Sequence, residues 1–198
     1  MSISSSSRGL RPGVCTSTTR PTNPYEGMII YETDTDMLAI WNGSTWRYVA
    51  ATTPTTGAVL QIARTTDTTQ RTTTSGSWVD TNVNVTITPK ASTSTVMVVA
   101  SFLGITAKSG TGNNLSTFRL TDSSNNALSG AETVYFGSEA YTLSNGYFYS
   151  PVTMIGWANP GTTSAVTYKM RYAVASSSTV YVSGNYQTTQ LFAIELSA

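Results

Sequence analysis

The chain has 198 residues, 11 basic and 10 acidic side chains, and no histidine, a size that suits one domain plus a small module. Its near-neutral charge excludes the basic excess expected of a nucleic-acid binder. A single cysteine excludes both an intrachain disulfide framework and a Cys/His metal cluster, and no cofactor is expected. Ser (26) and Thr (36) supply nearly a third of the residues, yet eleven Tyr, five Phe and four Trp accompany them. Aromatic and β-branched residues fit a pleated, half-buried surface, and no window repeats apolar residues at helical spacing, so the sequence predicts an all-β protein.

Residues 1–24 read as an N-terminal arm. Four consecutive serines, Pro12, Pro21 and Pro24, and a Thr-rich run offer little to bury, and Arg8, Arg11 and Arg20 are the only charges before Glu26. Two readings stand: a disordered terminus, or a docking arm that orders against a larger acidic partner. The opening Met-Ser-Ile-Ser-Ser-Ser-Ser-Arg has neither a basic start nor an apolar core, so no secretory leader is expected. Apolar runs of about five residues fall far short of the roughly 20 that span a bilayer, so no membrane insertion is expected.

Residues 25–50 predict a three-stranded meander: 28–31, a turn at Asp34-Thr35-Asp36, 37–41, Asn42-Gly43, and 44–49. Asn-Gly is the strongest short hairpin signal. A two-residue turn would set Trp41 against Ser44, and a four-residue loop would set it against Trp46; aromatic pairing favours the second. Tyr25, Tyr31, Trp41, Trp46 and Tyr48 are more rings than so small a unit can bury alone, so the module is expected to pack on another copy or another protein. Residues 51–57 are a linker by composition.

Residues 58–198 predict a β-sandwich or jelly roll of eight to ten short strands. Val83, Val85 and Ile87 alternate with polar residues, stopped by Pro89; residues 96–103 suit a central strand. In 166–172, Val166, Tyr168, Met170 and Tyr172 face one way, and Thr167, Lys169 and Arg171 the other. Separate strands are expected at 140–149 and 152–158, and the last strand at 190–196. Within that last strand Glu195 must either face solvent or meet an arginine across a subunit boundary.

Little here performs covalent chemistry. Nucleophilic catalysis needs a base, usually histidine, within reach of the nucleophile. Glycoside hydrolysis needs only two carboxylates, and Asp122, Glu132 and Glu139 are the candidates; loop-solvating carboxylates are the plain alternative. Asp34-x-Asp36 lacks the downstream Gly and Glu of a calcium loop and reads as a turn. The chain is expected not to be an enzyme.

The stretch from Arg20-Pro-Thr-Asn-Pro-Tyr-Glu-Gly-Met-Ile-Ile-Tyr-Glu-Thr-Asp-Thr to Trp41-Asn-Gly-Ser-Thr-Trp-Arg-Tyr-Val resembles a module of bacteriophage tail-fibre, minor tail and head-decoration proteins. The Trp78-Val-Asp segment, the run from Val85 to Ser94 and the closing Phe192-Ala-Ile-Glu-Leu resemble phage structural proteins more weakly. That ending is similar to trimeric jelly rolls of the complement and tumour-necrosis-factor type, whose last strand lies near the three-fold axis. The resemblance covers residues 20–198 and implies a homotrimer on a virion surface with no catalytic residue. It implies self-contact through Tyr31, Trp41, Trp46, Tyr48, Phe192, Ile194 and Leu196, and docking to other virion proteins through Arg8, Arg11 and Arg20. Tyr141, Tyr147 and Tyr149 are candidates for contact with host-surface carbohydrate. A capsid decoration protein, a small polysaccharide depolymerase and a secreted lectin of the complement-head type are the alternatives. A trimer of this kind is expected to bury more than ~2,000 Å² in total.

Overall fold

The computed structural model describes residues 12–49, 55–108, 113–138, 146–175, 178–182 and 187–198. Their only regular elements are β-strands, as the composition predicts. The chain divides into two units, Met1–Thr53 and Pro54–Ala198.

The first unit is a four-stranded sheet in the order β1 (Gly13–Cys15), β2 (Ile29–Glu32), β3 (Met37–Trp41) and β4 (Trp46–Val49). The meander is present, and a fourth strand joins it: β1 runs parallel to β2, with Val14 opposite Tyr31. That corrects the reading of residues 12–24 as a free arm. The reason is polar rather than apolar. The Ser17 N–H and hydroxyl donate to the Asp34 carboxylate at 2.9 and 2.5 Å, and Thr33 N–H donates to the Cys15 carbonyl at 2.9 Å. Trp41 pairs with Trp46, so the hairpin loop has four residues. Asn42 Oδ1 accepts the N–H groups of Ser44 and Thr45, and Gly43 alone takes the left-handed conformation, φ 88°, which only glycine adopts cheaply. A type I′ turn would need both central residues there.

The second unit is a sandwich of two sheets. One joins β5 (Val59–Asp67), β14 (Thr189–Leu196), β8 (Thr95–Lys108), β13 (Thr179–Val182) and β6 (Arg71–Thr73), with β11 (Gly146–Ala158) on the free side of β8. The 14-residue β8 is long enough to pair end to end with β14 and then β13, whose outer neighbours are β5 and β6. The sheet is therefore four ranks wide. The other sheet is β10 (Val134–Ser138), β9 (Asn114–Thr121), β12 (Val166–Val174) and β7 (Val79–Ile87). Four ranks facing four, with most sequence neighbours placed in opposite sheets, is a jelly roll.

The core lies between these sheets. Val83, Val85 and Ile87 point inward from β7, Val96, Val98, Ala100 and Phe102 from β8, and Tyr168, Met170 and Tyr172 from β12. Phe118 is edge-on to Phe102 and Phe136, with ring centroids 4.8 and 5.8 Å apart. Strand β7 carries a bulge opposite Met170, with Asn82 in the left-handed region at φ 59°. Thr81, fully buried, repairs the ladder there by donating its hydroxyl to the Met170 carbonyl at 2.7 Å. Residues 146–158 form one strand, not two. Pro151 interrupts the sequence pattern but not the strand, because β11 is an edge strand whose outer side needs no N–H donor.

Candidate self-association and contact surfaces

Strand alternation divides the aromatics of the first unit. Trp41, Trp46 and Tyr48 share one face of the sheet with Ile30 and Ala39, whereas Tyr31 shares the other with Val14, Leu38 and Val49. Tyr31, Trp41, Trp46 and Tyr48, expected as self-contacts, therefore lie on two faces of the sheet rather than one. The tryptophans are already engaged with each other, centroids 5.5 Å apart in a T-shaped pair.

Arg20 is likewise engaged within the chain. Its Nε donates to Glu32 Oε1 at 2.5 Å and its Nη2 to the Tyr48 hydroxyl at 2.7 Å. The Tyr48 hydroxyl and Thr35 donate in turn to Glu32 Oε2, at 3.0 and 3.1 Å. Glu32 is fully buried. Arg20 above all, with Tyr48 and Thr35, holds its carboxyl below the usual range although burial alone would raise it. Arg20 is a clasp for residues 12–24 rather than a free docking cation. Arg8 and Arg11 lie outside the described residues. An Arg20→Ala chain is expected to lose about 2 kcal/mol of stability in this unit, because the buried Glu32 carboxylate keeps only neutral donors. Hydrogen exchange at the Gly13–Cys15 amides is the measurement: it should rise sharply, and the same loosening should appear in the native chain as pH falls through the lowered Glu32 value.

The opposite face of the first unit is thinly apolar. Val14, Tyr31, Leu38 and Val49 form one row across all four strands, beside a concavity also lined by Pro12 and Met37. Among the described residues of this unit only Ile30 and Ala39 are buried hydrophobics. So small a core leaves the unit dependent on further contacts.

In the second unit, Phe192, Ile194 and Leu196 all leave β14 on the side away from the core, because Leu191, Ala193 and Glu195 fill the inward positions. Register extends this face over every rank. Trp157, Met97, Ile194 and Ile62 stand in one row, and Ile155, Val99, Phe192 and Arg64 in the next. Ile62 is 60% exposed and Trp157 42%. The Arg64 guanidinium lies over the Phe192 ring, 5.5 Å from its centroid. Further along the same face Tyr149 and Tyr181 flank Ile105, and Tyr147 stacks near both, 5.9 Å from Tyr149 and 6.4 Å from Tyr181. Tyr147 and Tyr149 are thus strand residues on the face that carries Phe192. Tyr141 lies outside the described residues. A contiguous apolar sheet face of this extent marks an interaction surface in a soluble protein.

Glu195 takes neither of the positions expected for it. It points into the sandwich, fully buried. Its carboxylate accepts Gln61 Nε2 at 2.5 Å and the Lys90 N–H at 2.6 Å, and Gln61 also donates to the Thr88 carbonyl at 2.6 Å. The charge is satisfied by amides within one chain, without an arginine.

Asp122 and Glu132 are local structural groups. Asp122 accepts Asn126 N–H and Nδ2 at 2.9 and 2.8 Å, and Glu132 accepts the Gly130 N–H at 3.1 Å. Glu139 lies outside the described residues. Asp34 is occupied by Ser17, and Asp36 accepts the Tyr31 hydroxyl at 2.8 Å. Among the described residues no three acidic, Cys or His side chains gather as a metal would require. No helix among them is long and apolar enough to cross a membrane.

No family model and no curated protein matches the chain. Among solved structures it is similar to chains of infectious bursal disease virus. The Gx strain structure matches at 13% identity and a TM-score of 0.30, over 82% of this chain and 46% of that one. The crystal structure of the VP2 subviral particle matches at 16% identity and 0.29, over 91% and 46%. The chain spans less than half the length of these viral chains, and at such values the likeness bears on neither assembly nor activity.

Proposed function

We propose that the chain is a non-enzymatic virion structural protein, a trimeric surface appendage of the bacteriophage tail-fibre or minor-tail type. The apolar face of the β5–β14–β8–β11 sheet is the observation that supports it. That face runs apolar across all four ranks, from Ile62 through Ile194 and Met97 to Trp157, and a second and third copy of the chain would cover it. The module resemblance of residues 20–49 supports attachment to the particle through the first unit.

Sedimentation of the purified chain tests the assembly: a trimer is expected, and a monomer at micromolar concentration would overturn it. The association should also be kinetically persistent, giving a trimer band on gels run without boiling. Imaging the intact particle tests the location. A few copies at the tail accord with the proposal, whereas hundreds over the head would make the chain a decoration protein instead.

A further inference from the structure

The outward face of the β10–β9–β12–β7 sheet is rich in Thr and Asn except at one place. There Arg119 of β9 and Arg171 of β12 are direct cross-strand partners. Both are turned outward because their neighbours Phe118, Leu120, Met170 and Tyr172 are buried in the core. Like charges set directly opposite destabilise a ladder, so the pair calls for a compensating group.

Trp78 holds both guanidiniums. Arg119 lies over its ring, 4.3 Å from the centroid, and Arg171 Nη2 donates to its carbonyl at 2.8 Å. The Nε atoms of both arginines are buried without a hydrogen-bond partner. Neither arginine forms an ion pair among the described residues. Asp80 stands opposite Arg171 in the register, but its carboxylate accepts the Asn82 N–H at 2.7 Å and faces Lys169 Nζ at 3.8 Å. The carboxylate beside Arg171 in the register is thus engaged by Lys169 and the Asn82 amide. Burial, and then the charge of Arg171, push Arg119 below its ordinary value. An anion between the two arginines would relieve the repulsion and the lost hydration together. A carboxylate can accept charge-assisted N–H bonds from the outer Nη groups of both.

The surroundings select the kind of carboxylate. Tyr135, on the edge strand β10, stands opposite Thr117, diagonal to Arg119, and is 70% exposed. An open ring face beside guanidiniums that form no ion pair suits a pyranose that stacks on the ring and turns its acid group inward. The flat C–H face of a pyranose covers such a ring more fully than the extended chain of an acidic peptide does. We propose that Arg119, Arg171, Trp78 and Tyr135 form a binding site for the carboxylate of an acidic saccharide of the uronic-acid class. The inference deepens the surface-appendage reading and rests on it for where the saccharide is met. It also moves carbohydrate contact away from Tyr147 and Tyr149, which lie on the self-association face of the other sheet.

The test is calorimetric titration of the full chain with an oligoglucuronate, a neutral oligoglucose of equal length and an oligoglutamate. The oligoglucuronate is expected to bind and the oligoglucose not, with affinity weakening as salt is added. Arg119→Gln and Arg171→Gln should each weaken binding about tenfold, the loss expected for charge-assisted hydrogen bonds. Arg119→Lys should lose nearly as much, because the charge stays and the fork goes. Tyr135→Ala, at an exposed position, keeps the test open if an arginine variant fails to fold. No binding of oligoglucuronate, or unchanged affinity in the folded variants, would overturn the site. Equal binding of oligoglutamate would overturn its saccharide assignment. Sedimentation of the same samples separates this from the assembly: a monomer that binds uronate leaves the site and removes the trimer, and a trimer that does not bind it does the reverse.

Discussion

An Ile194→Asp chain should sediment as a folded monomer where the native chain sediments as a trimer. Ile194 sits mid-row on the outward face of β14, between Ile62 of β5 and Met97 of β8, with Trp157 beyond. Within one chain its side chain lies on the far side of the sheet from the core, so a carboxylate there meets water and costs the fold little. Within a trimer that packs this face, the same carboxylate would lose its water without gaining a partner, a penalty of several kcal/mol repeated in each copy. Such a penalty exceeds what most interfaces can absorb, and no partly weakened intermediate is expected. Asn84→Asp, on the exposed face of β7 in the other sheet, is the control and should leave the trimer intact. Far-ultraviolet circular dichroism confirms that the Ile194→Asp chain keeps its strands. A variant that sediments with the native chain would show that the β14 face is not the interface.

Much of the fold was open to inference because β-strands write their two faces into alternating residues. Val83, Val85 and Ile87, or Tyr168, Met170 and Tyr172, declare an inward face without any knowledge of their neighbours. Features that depend on pairing between distant strands were closed to it. Strand β1 is three residues of unremarkable composition, and its parallel place beside β2 rests on Ser17 reaching Asp34 across 17 positions. Strand β11 passes through Pro151, which reads as a break unless the strand is known to be an edge. The separation of Tyr31 from Trp41, Trp46 and Tyr48 follows from registers that a list of aromatic residues lacks. Arg119 and Arg171 are 52 positions apart in the sequence and become partners only when β9 and β12 pair. A signal was nevertheless present: Arg119 lies between two strongly apolar residues, Phe118 and Leu120, as does Arg171 between Met170 and Tyr172.

Glu195 is the residue whose loss should most weaken the second unit itself. Its side chain reaches from the last strand to Gln61 on β5 and to the backbone of Lys90 in the β7–β8 connection. It thereby ties the end of the chain to its first strand and to the turn that opens β8. Glu195→Ala leaves the Lys90 N–H and one donor of Gln61 without their acceptor inside the fold, at a cost of about 3 kcal/mol. For a domain of this size that lowers the melting temperature by on the order of 10 °C. The pH dependence carries a second signature. Burial alone would raise the carboxyl. The Ser94 hydroxyl first, then the amides of Gln61, Lys90 and Ala91, outweigh it, so the group titrates below its ordinary value of 4.5. A depressed folded value means that the contribution is complete above the ordinary carboxyl range and is lost as pH falls through the lowered value. Glu195→Gln keeps one acceptor oxygen but cannot titrate, so it should start less stable at neutral pH and lose less on acidification. The gap between its melting curve and that of the native chain should narrow steadily below about pH 4.5. A gap that stays constant with pH would mean that the Glu195 carboxylate does not hold the strand ends in its charged form.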